Sequence, residues 1–282
     1  MNIKCVGVIG AGTMGSGIAQ VCAQAGFSVV MIDVSTEALN KGLSVINGSL
    51  SRLVNKGLIS DSEMSESLVK VRASTSYDDL RSCELVIEAA TENLDLKKKI
   101  LKQIDQSTSA STILATNTSS LSVTELAACV THSSRFVGMH FFNPVPVMKL
   151  VEVIVGMQTS QETKQIASGF VERIGKQSIV AKNSPGFAVN RILCPMINEA
   201  IFACQEGLAT ASDIDDGMRL GCNHPIGPLA LADLIGLDTL LSVMEPFYRE
   251  FADPKYRPAP LLREMVLAGY LGRKSGRGFY QY

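Results

Sequence analysis

Short apolar runs rich in β-branched residues alternate with longer amphipathic stretches over the first two-thirds of the chain. The runs have the length of strands, and the stretches between them have the length and periodicity of helices. This alternation predicts an α/β fold with a doubly wound, mostly parallel sheet and helices on both faces. The predicted strands are Lys4–Ile9, Ser28–Ile32, Val69–Ala73, Glu84–Ala89, Thr112–Thr116 and Arg135–His140. The predicted helices are Gly15–Ala25, Thr36–Lys56, Leu94–Gln106 and Val123–Ala128.

Two further strands are predicted beyond the sixth, at Lys149–Val155 and Gln177–Ala181. The link from His140 to Lys149 contains two prolines, Pro144 and Pro146. It is too short for a parallel crossover, which needs roughly a dozen or more residues. We therefore expect these two strands to pair antiparallel, at an edge of the sheet.

The pattern changes after Ser184 to long apolar helices, and Pro185-Gly186 marks the boundary. The helices are predicted at Gly186–Glu206, Ala211–Leu220 and Pro228–Phe251. We expect residues 1–184 to form the sheet domain and residues 185–282 to form a second, all-α domain. Its Leu, Ile and Met content exceeds what a bundle of about 100 residues can bury, which predicts an oligomer interface, most simply in a homodimer.

Composition narrows the class of protein further. Of 282 residues, 46% are hydrophobic and 19% charged, which is typical of a packed globular protein. The net charge of −1 gives no reason to expect nucleic acid or an anionic membrane as a partner. No apolar stretch reaches the roughly 18 residues of a membrane span. No secretory leader is visible at the N-terminus, so the expected location is the cytoplasm, with a processed organellar chain as the alternative.

The cysteines give no sign of a disulfide framework or a metal site. None belongs to a C-x-x-C pair, and several lie in apolar runs, so we expect buried free thiols in a reducing compartment. The seven are Cys5, Cys22, Cys83, Cys129, Cys194, Cys204 and Cys222. No set of His, Cys, Asp or Glu has the spacing of metal ligands, and no metal is expected.

A glycine-rich turn follows the first strand and opens the first helix. It consists of Gly10, Ala11, Gly12, Thr13, Met14 and Gly15. Gly10 allows the tight turn, Gly12 lets a pyrophosphate approach the backbone, and Gly15 lets helix and strand pack closely. Helix amides then face the phosphates. In this context the turn predicts a Rossmann-type dinucleotide site, although a purely structural turn is the alternative.

Asp33 ends the second strand, where its carboxylate can accept both hydroxyls of an adenosine ribose. It would repel a 2′-phosphate, and no Lys or Arg follows at positions 34–36 to offset that repulsion. NAD is therefore favoured over NADP. The alternative is that Asp33 serves only to cap the next helix.

His140 is the histidine best placed for chemistry, because it ends a strand where ligands meet an open α/β sheet. Oxidation of a secondary alcohol needs a base for the hydroxyl proton. Glu152 lies on the strand predicted to return antiparallel, so its carboxylate can reach the imidazole. A carboxylate on one ring nitrogen fixes the tautomer and stabilises the imidazolium.

Several motifs together resemble the 3-hydroxyacyl-CoA dehydrogenase family over essentially the whole chain. They are the glycine turn, Glu88–Asn93, Ala115–Ser120, His140–Pro144 with Met148–Glu152, Asn183–Arg191, and Gly272–Tyr280. The resemblance implies that His140 and Glu152 are the catalytic pair. It also implies that Ser119 and Asn190 hydrogen-bond the reacting oxygen, with Ser119 reaching the nicotinamide as well. Because Asn190 follows the boundary, the active site is expected between the domains.

The resemblance assigns further residues to ligands. Glu92, Lys97, Asn143 and Lys274 match positions that contact the cofactor. A helical excursion, which begins at Thr36 and continues into Asp61–Leu68, covers the CoA moiety in this family, and Ser49 and Lys56 match CoA-contacting positions. Structural alternatives stay open: residues 117–120 as a helix cap, and Lys97 or Lys56 on a solvated helix face.

The expected activity is the reversible, NAD-dependent interconversion of (S)-3-hydroxyacyl-CoA and 3-oxoacyl-CoA, of short chain, in fatty acid and butanoate metabolism. One alternative is a dehydrogenase of a free hydroxy acid or sugar acid on the same scaffold. Another is a non-catalytic NAD-binding protein, as lens crystallins related to this family suggest. The presence of both His140 and Glu152 argues against the latter.

Overall fold

The computed structural model describes residues 3–282 and divides the chain into two compact units, Met1–Ser184 and Pro185–Tyr282. The N-terminal unit contains a sheet with helices packed against it, and the C-terminal unit is built of helices.

One eight-stranded sheet forms the centre of the N-terminal unit, in the order β3-β2-β1-β4-β5-β6-β7-β8. The strands are β1 Cys5–Ile9, β2 Ser28–Ile32, β3 Val71–Ser74, β4 Leu85–Glu88, β5 Ile113–Thr116, β6 Phe136–Phe141, β7 Leu150–Val155 and β8 Gln177–Lys182. Strands β1 to β6 are parallel. The order reverses between β1 and β4, where an open α/β sheet binds its ligand. The predicted Rossmann-type fold is confirmed.

The edge formed by β7 and β8 follows the prediction in part. β7 pairs antiparallel with β6, as expected from the short link between them. β8 runs antiparallel to the central strands but pairs parallel with β7. The reason is a crossover helix, Gln161–Arg173, which lies between them and was not predicted. Ser160 caps this helix by accepting a hydrogen bond from the Thr163 amide.

Six helices accompany the sheet. They are α1 Thr13–Gln24, α2 Thr36–Asn55, α3 Asp61–Val69, α4 Leu94–Ser107, α5 Val123–Ala127 and α6 Gln161–Arg173. The predicted excursion is two helices and not one continuous helix, because α2 ends at Asn55 and Ser60 begins α3 with a capping box closed by Glu63. Ser35 caps α2 through the Ala38 amide, so Asp33 is not the cap.

The core of this unit lies between the sheet and helices α1, α2 and α6. Val6, Val8 and Ile18 are fully buried, and the Phe27 and Phe170 rings meet at 5.2 Å. Side chains of this size each contribute roughly 1.5–3 kcal/mol on burial. The continuous apolar strands are those of a sheet covered on both faces, which holds the ends of β1, β4, β5 and β6 in fixed positions.

The C-terminal unit contains five α-helices around its own core, and one predicted helix was wrong. The helices are α7 Val189–Gln205, α8 Ala211–Asp216, α9 Pro228–Ile235, α10 Leu237–Phe251 and α11 Pro260–Leu267. The predicted helix Pro228–Phe251 is broken at Gly236, whose φ of +101° is outside the helical region. The segment predicted as a helix, Ala211–Leu220, is helical throughout, with α8 followed directly by a π turn at Gly217–Gly221. Helix α11 was not predicted.

The C-terminal segment is docked by two buried aspartates. Asp233 accepts hydrogen bonds from the Phe279 and Tyr280 amides, both at 3.0 Å. The Tyr280 hydroxyl donates to Asp215 at 2.7 Å, and burial with this hydrogen bond raises the pKa of Tyr280. A Cβ at Gly278 would lie 1.9 Å from an Asp233 oxygen, so only glycine lets the tail approach this closely.

Candidate active site

The predicted glycine turn joins β1 to α1 and has the shape of a phosphate cradle. Gly10 has φ +101°, and a Cβ there would lie 2.7 Å from the Ala90 backbone. A Cβ at Gly15 would lie 1.8 Å from the Gly10 carbonyl oxygen, so helix and turn are in direct contact. At Gly12 a Cβ would meet no atom within 4 Å, which leaves open space beside the N-terminus of α1. Ala11, Thr13 and Met14 lie within this turn and the first turn of the helix.

Asp33 lies at the end of β2, beside this turn. Its two carboxylate oxygens accept hydrogen bonds from the Ala11 amide at 2.9 Å and the Ser35 amide at 3.1 Å. Each oxygen keeps a lone pair for a further donor. A cavity of about 320 Å³ adjoins the carboxylate, and Tyr77, Leu96 and Ile100 are among its walls. The anion-binding turn, the fixed carboxylate and the largely apolar cavity fit the pyrophosphate, ribose and adenine of NAD.

His140 and Glu152 face each other across neighbouring strands. The antiparallel register of β6 and β7 places the two residues directly opposite. His140 Nδ1 and Glu152 Oε2 are 2.6 Å apart, and both side chains are buried. An ionised carboxylate can only accept, so with Glu152 ionised Nδ1 donates this hydrogen bond, and in the neutral ring Nε2 then presents a lone pair. The predicted contact between these side chains is therefore present.

Ser119 lies on the other side of the imidazole. Its Oγ is 3.1 Å from His140 Nε2, and it follows β5 in a turn formed by Asn117 and Thr118. The Ser120 and Leu121 amides donate to the Thr118 hydroxyl inside this turn. Ser122, outside the motif, is the residue that caps the next helix. The interpretation of residues 117–120 as a helix cap was therefore wrong.

Glu92 and Asn117 hold this turn in place. Glu92 accepts hydrogen bonds from the Ser119 amide at 3.0 Å and the Thr118 hydroxyl at 2.7 Å. Asn117 Oδ1 accepts from the Phe141 amide at 2.9 Å, one residue beyond His140. Glu92 thus links the loop after β4 to the loop after β5, in addition to any contact with a cofactor. The sequence did not single out Asn117, although it belongs to the same motif.

Lys97 does not lie on a solvated helix face. Its side chain is completely buried, where its ammonium forms an ion pair with Glu88 and donates to Thr116 Oγ1 at 3.2 Å. Glu88 also accepts from Thr116 Oγ1 at 2.8 Å and from the Ala90 amide at 2.9 Å. This cluster ties together the ends of β4 and β5. Contact between Lys97 and the cofactor stays a prediction.

Replacement of Lys97 by methionine should lower the free energy of unfolding by about 3–5 kcal/mol, because the buried Glu88 carboxylate would lose its cation. Urea denaturation measures this loss. Lys98→Met is the matched control: Lys98 pairs with Glu125 at the surface, where ion pairs contribute little. Equal stabilities of the two variants, with NAD affinity lost only in Lys97→Met, would instead make Lys97 a cofactor contact.

The link between β6 and β7 carries Asn143 and is anchored by a lysine that the sequence analysis missed. Lys176 Nζ donates to the carbonyl oxygens of Val145 and Met148, both at 2.6 Å. Burial lowers the pKa of Lys176. Val145 also packs on α1, because a Cβ added at Gly17 would lie 2.8 Å from the Cβ of Val145. Lys176 is remote in sequence, so no local motif could have revealed this contact.

The residues matched to CoA contacts lie on the helical excursion. Ser49 is half-buried within α2, and Lys56 is the exposed residue that follows its last turn. Two other residues belong to the C-terminal unit. Asn190 lies in the first turn of α7, and Lys274 forms an ion pair with Asp238 at 2.5 Å. The ligand roles of all four stay predictions.

The remaining histidines and the cysteines differ in how far they are exposed to solvent. His132 is exposed in a loop, and His224 is half-buried. All seven cysteines are free, but only Cys22, Cys83 and Cys194 are buried, so the expectation that all are buried was wrong. Within residues 3–282 we find no group of three or more His, Cys, Asp or Glu that could hold a metal ion. None of the helices in the same range is long and apolar enough to cross a membrane.

Comparison with known proteins identifies the class that this fold and site define. Residues 5–184 match the family described as 3-hydroxyacyl-CoA dehydrogenase, NAD binding domain. Residues 186–282 match 3-hydroxyacyl-CoA dehydrogenase, C-terminal domain. The chain therefore belongs to the 3-hydroxyacyl-CoA dehydrogenase family. The sequence-based predictions of the enzyme class and of NAD as the cofactor are confirmed.

Within the family, the chain is similar to several 3-hydroxybutyryl-CoA dehydrogenases. The chain is 50% identical to 3-hydroxybutyryl-CoA dehydrogenase of Bradyrhizobium diazoefficiens over 99% of this chain and 96% of that protein. It is also 50% identical to the probable 3-hydroxybutyryl-CoA dehydrogenase of Bacillus subtilis, over 100% of this chain and 98% of that protein. The crystal structure of (S)-3-hydroxybutyryl-CoA dehydrogenase from Ralstonia eutropha is 60% identical, with a TM-score of 0.98 and coverage of 100% and 99%.

Proposed function

We propose that this enzyme interconverts (S)-3-hydroxybutyryl-CoA and acetoacetyl-CoA, with His140 as general base in oxidation and general acid in reduction. The observation that carries the proposal is the chain of hydrogen bonds from Glu152 through His140 to Ser119, with distances of 2.6 and 3.1 Å. The names of the relatives support a short acyl chain.

Each member of this chain of hydrogen bonds has a separate task. The Nε2 lone pair of His140 accepts the proton of the 3-hydroxyl group as the alcohol is oxidised. Glu152 keeps Nδ1 protonated and stabilises the imidazolium once the proton has moved. When bound, NAD supplies the acceptor for the hydride that leaves C3. Its binding on the glycine turn and Asp33 is in keeping with the geometry of those residues.

Ser119 holds the reacting oxygen close to the imidazole. Its hydroxyl can donate to the substrate oxygen while the substrate hydroxyl faces Nε2, so both groups converge on one atom. Glu92 and Asn117 fix the turn that carries Ser119, and this rigidity favours a productive geometry. In the direction of reduction the same residues act in reverse, with the imidazolium donating its proton to the 3-oxo group.

A comparison of substrates with and without CoA tests whether the enzyme acts on a CoA thioester. We expect kcat/KM for acetoacetyl-CoA to exceed that for free acetoacetate by at least about 10²-fold, because binding energy from the remote part of the substrate supports the chemical step. NADH consumption measures both rates, and a series of longer acyl-CoA substrates tests the preference for short chains. Equal values for the thioester and the free acid would favour the alternative, a dehydrogenase of a free hydroxy acid or sugar acid.

Two exposed lysines, Lys41 within α2 and Lys56 directly after it, test the assignment of the CoA site. Lys56→Met should raise KM for acetoacetyl-CoA while leaving kcat near its original value, because a CoA phosphate would lose its ammonium partner. Lys41→Met is the control. An unchanged KM in both variants would remove Lys56 from the binding site.

We also propose a homodimer formed through the C-terminal unit. Apolar side chains exposed on this unit support the proposal, since a monomer gains nothing from leaving them in water. They include Ile192, Leu208, Leu220 and Leu267. Light scattering coupled to size exclusion gives the mass that decides between monomer and dimer. The cytoplasmic location stays a prediction.

A further inference from the structure

Two cysteine thiols lie side by side on neighbouring segments of the sheet. Cys5 is the first residue of β1, and Cys83 lies two residues before β4. Their Sγ atoms are 3.5 Å apart. The main chains are adjacent as well, because the Glu84 amide donates to the Cys5 carbonyl oxygen at 3.2 Å. In the register of β1 and β4, Cys5 lies opposite Glu84, so Cys83 is its diagonal neighbour. A strand spacing of about 4.8 Å and a rise of about 3.3 Å per residue put the two Cα atoms roughly 6 Å apart, within the roughly 4.4–6.8 Å that a disulfide spans.

The two thiols differ in acidity. The two thiols share a hydrogen bond, and this contact, opposed by burial, lowers the pKa of Cys5 to about 7. The same hydrogen bond and burial raise the pKa of Cys83. Of the charged groups facing Cys5, Arg72 favours the thiolate and Glu84 opposes it. Near neutral pH, Cys5 therefore exists in part as the thiolate, which is the reactive form.

The two thiols also differ in their exposure to solvent. Cys5 is half-buried, whereas Cys83 is only 2% exposed. The buried thiol is thus protected from direct attack but lies within reach of its neighbour. This combination of an acidic, accessible thiol and an adjacent protonated thiol is that of an attacking and a resolving cysteine.

We propose that Cys5 and Cys83 form a reversible intramolecular disulfide when the enzyme meets a hydroperoxide. The Cys5 thiolate attacks one peroxide oxygen, the O–O bond breaks, and hydroxide leaves, giving a sulfenic acid at Cys5. The Cys83 sulfur then attacks the Cys5 sulfur. The S–S bond forms, the S–O bond breaks, and the departing hydroxide takes the Cys83 proton as water. The protein loses two hydrogen atoms, and a thiol reductant restores them.

The position of the thiol pair predicts how the oxidised protein behaves. Cys5 lies at the start of β1 and the glycine turn follows its end, about 15 Å away at the rise of a strand. The disulfide would close a loop from β1 to the segment before β4, which restricts the unfolded chain. We therefore expect a higher melting temperature in the oxidised form, with turnover retained.

Hydrogen peroxide and mass spectrometry test the proposal on the full-length enzyme. We expect the loss of two hydrogen atoms per chain, reversal by dithiothreitol, and one cross-linked peptide that joins Cys5 to Cys83. The initial rate of thiol loss should rise as the pH passes about 7, because the thiolate fraction of Cys5 increases. The Cys83→Ala variant lacks both the resolving thiol and the hydrogen bond that acidifies Cys5, so Cys5 should react more slowly and stop at the sulfenic acid, which dimedone traps.

Two outcomes would overturn the proposal. One is a wild-type peptide map in which Cys5 is oxidised to sulfinic acid, or remains a thiol, with no link to Cys83. The other is a Cys83→Ala variant that still loses two hydrogen atoms. Cys222→Ser is the matched control, since Cys222 is exposed in the C-terminal unit and its replacement should leave the cross-link intact. The wild-type map decides the matter even if Cys83→Ala folds poorly.

Discussion

His140→Gln should lower kcat for acetoacetyl-CoA reduction by about 10²–10⁴-fold, the usual contribution of a positioned acid–base group. Glutamine can occupy the same volume and accept or donate hydrogen bonds, but it does not exchange a proton near neutral pH. Of the described hydrogen-bond partners of His140, Glu152 contacts Nδ1 and not Nε2, and the Ser119 hydroxyl at Nε2 does not ionise near neutral pH, so neither can take over from Nε2. The measurement is steady-state NADH consumption under saturating substrate.

Two controls separate loss of chemistry from loss of structure. His132→Gln, at an exposed loop position, should retain full turnover. NADH affinity, followed by fluorescence titration, should be similar in both variants, because His140 does not belong to the glycine turn or the Asp33 cavity. A His140→Gln enzyme with undiminished kcat would exclude His140 as the acid–base residue.

Glu152→Gln should lower kcat by about 10³–10⁴-fold although the two side chains are nearly isosteric. The amide of glutamine can donate to Nδ1, which then becomes an acceptor and leaves the ring proton on Nε2. In that tautomer Nε2 has no lone pair for the substrate hydroxyl. The carboxylate that stabilises the imidazolium is also gone, and the side chain remains fully buried, so water does not replace it.

The comparison variant is Glu162→Gln, an exposed position in the first turn of α6. It should behave as the wild type in turnover and in thermal melting. For Glu152→Gln the melting temperature should change far less than kcat, since the shape of the side chain is kept. If kcat and stability fell together, Glu152 would be a structural residue and the tautomer argument would fail.

Much of the fold could be predicted because its strands are continuous apolar runs with clear boundaries. β2 was predicted to the residue, and the short link after β6 correctly implied an antiparallel β7. Helix α6 was missed because its amphipathic pattern lies between two strands that were expected to be neighbours without a crossover. The break at Gly236 was missed because the apolar residues of α9 and α10 form one pattern, which ends only through a backbone conformation.

Some residues of the candidate site could likewise be inferred from the sequence, and others could not. The glycine turn, Asp33 and the His140–Glu152 pair could be inferred because each belongs to a local motif at the end of a strand. Lys97 and Lys176 show the limit of that approach. A lysine in a polar run gives no sign that it is buried against Glu88, and nothing near position 176 points to the carbonyls of the β6–β7 link. Such contacts depend on the tertiary fold alone.

The pairing of β6 with β7 also restricts where the polypeptide can gain or lose a residue. Successive side chains of a strand point to opposite faces of the sheet, so a shift of one residue in register would turn Glu152 away from His140. A residue gained or lost within either paired strand, at Phe141 or Val151 for example, would therefore separate the two side chains, whatever the identity of that residue. Substitutions are permitted at such strand positions to the extent that packing allows, but insertions and deletions are not. The meeting of histidine and glutamate is thus fixed by the strand ladder, and not by the residues of the link that joins the two strands.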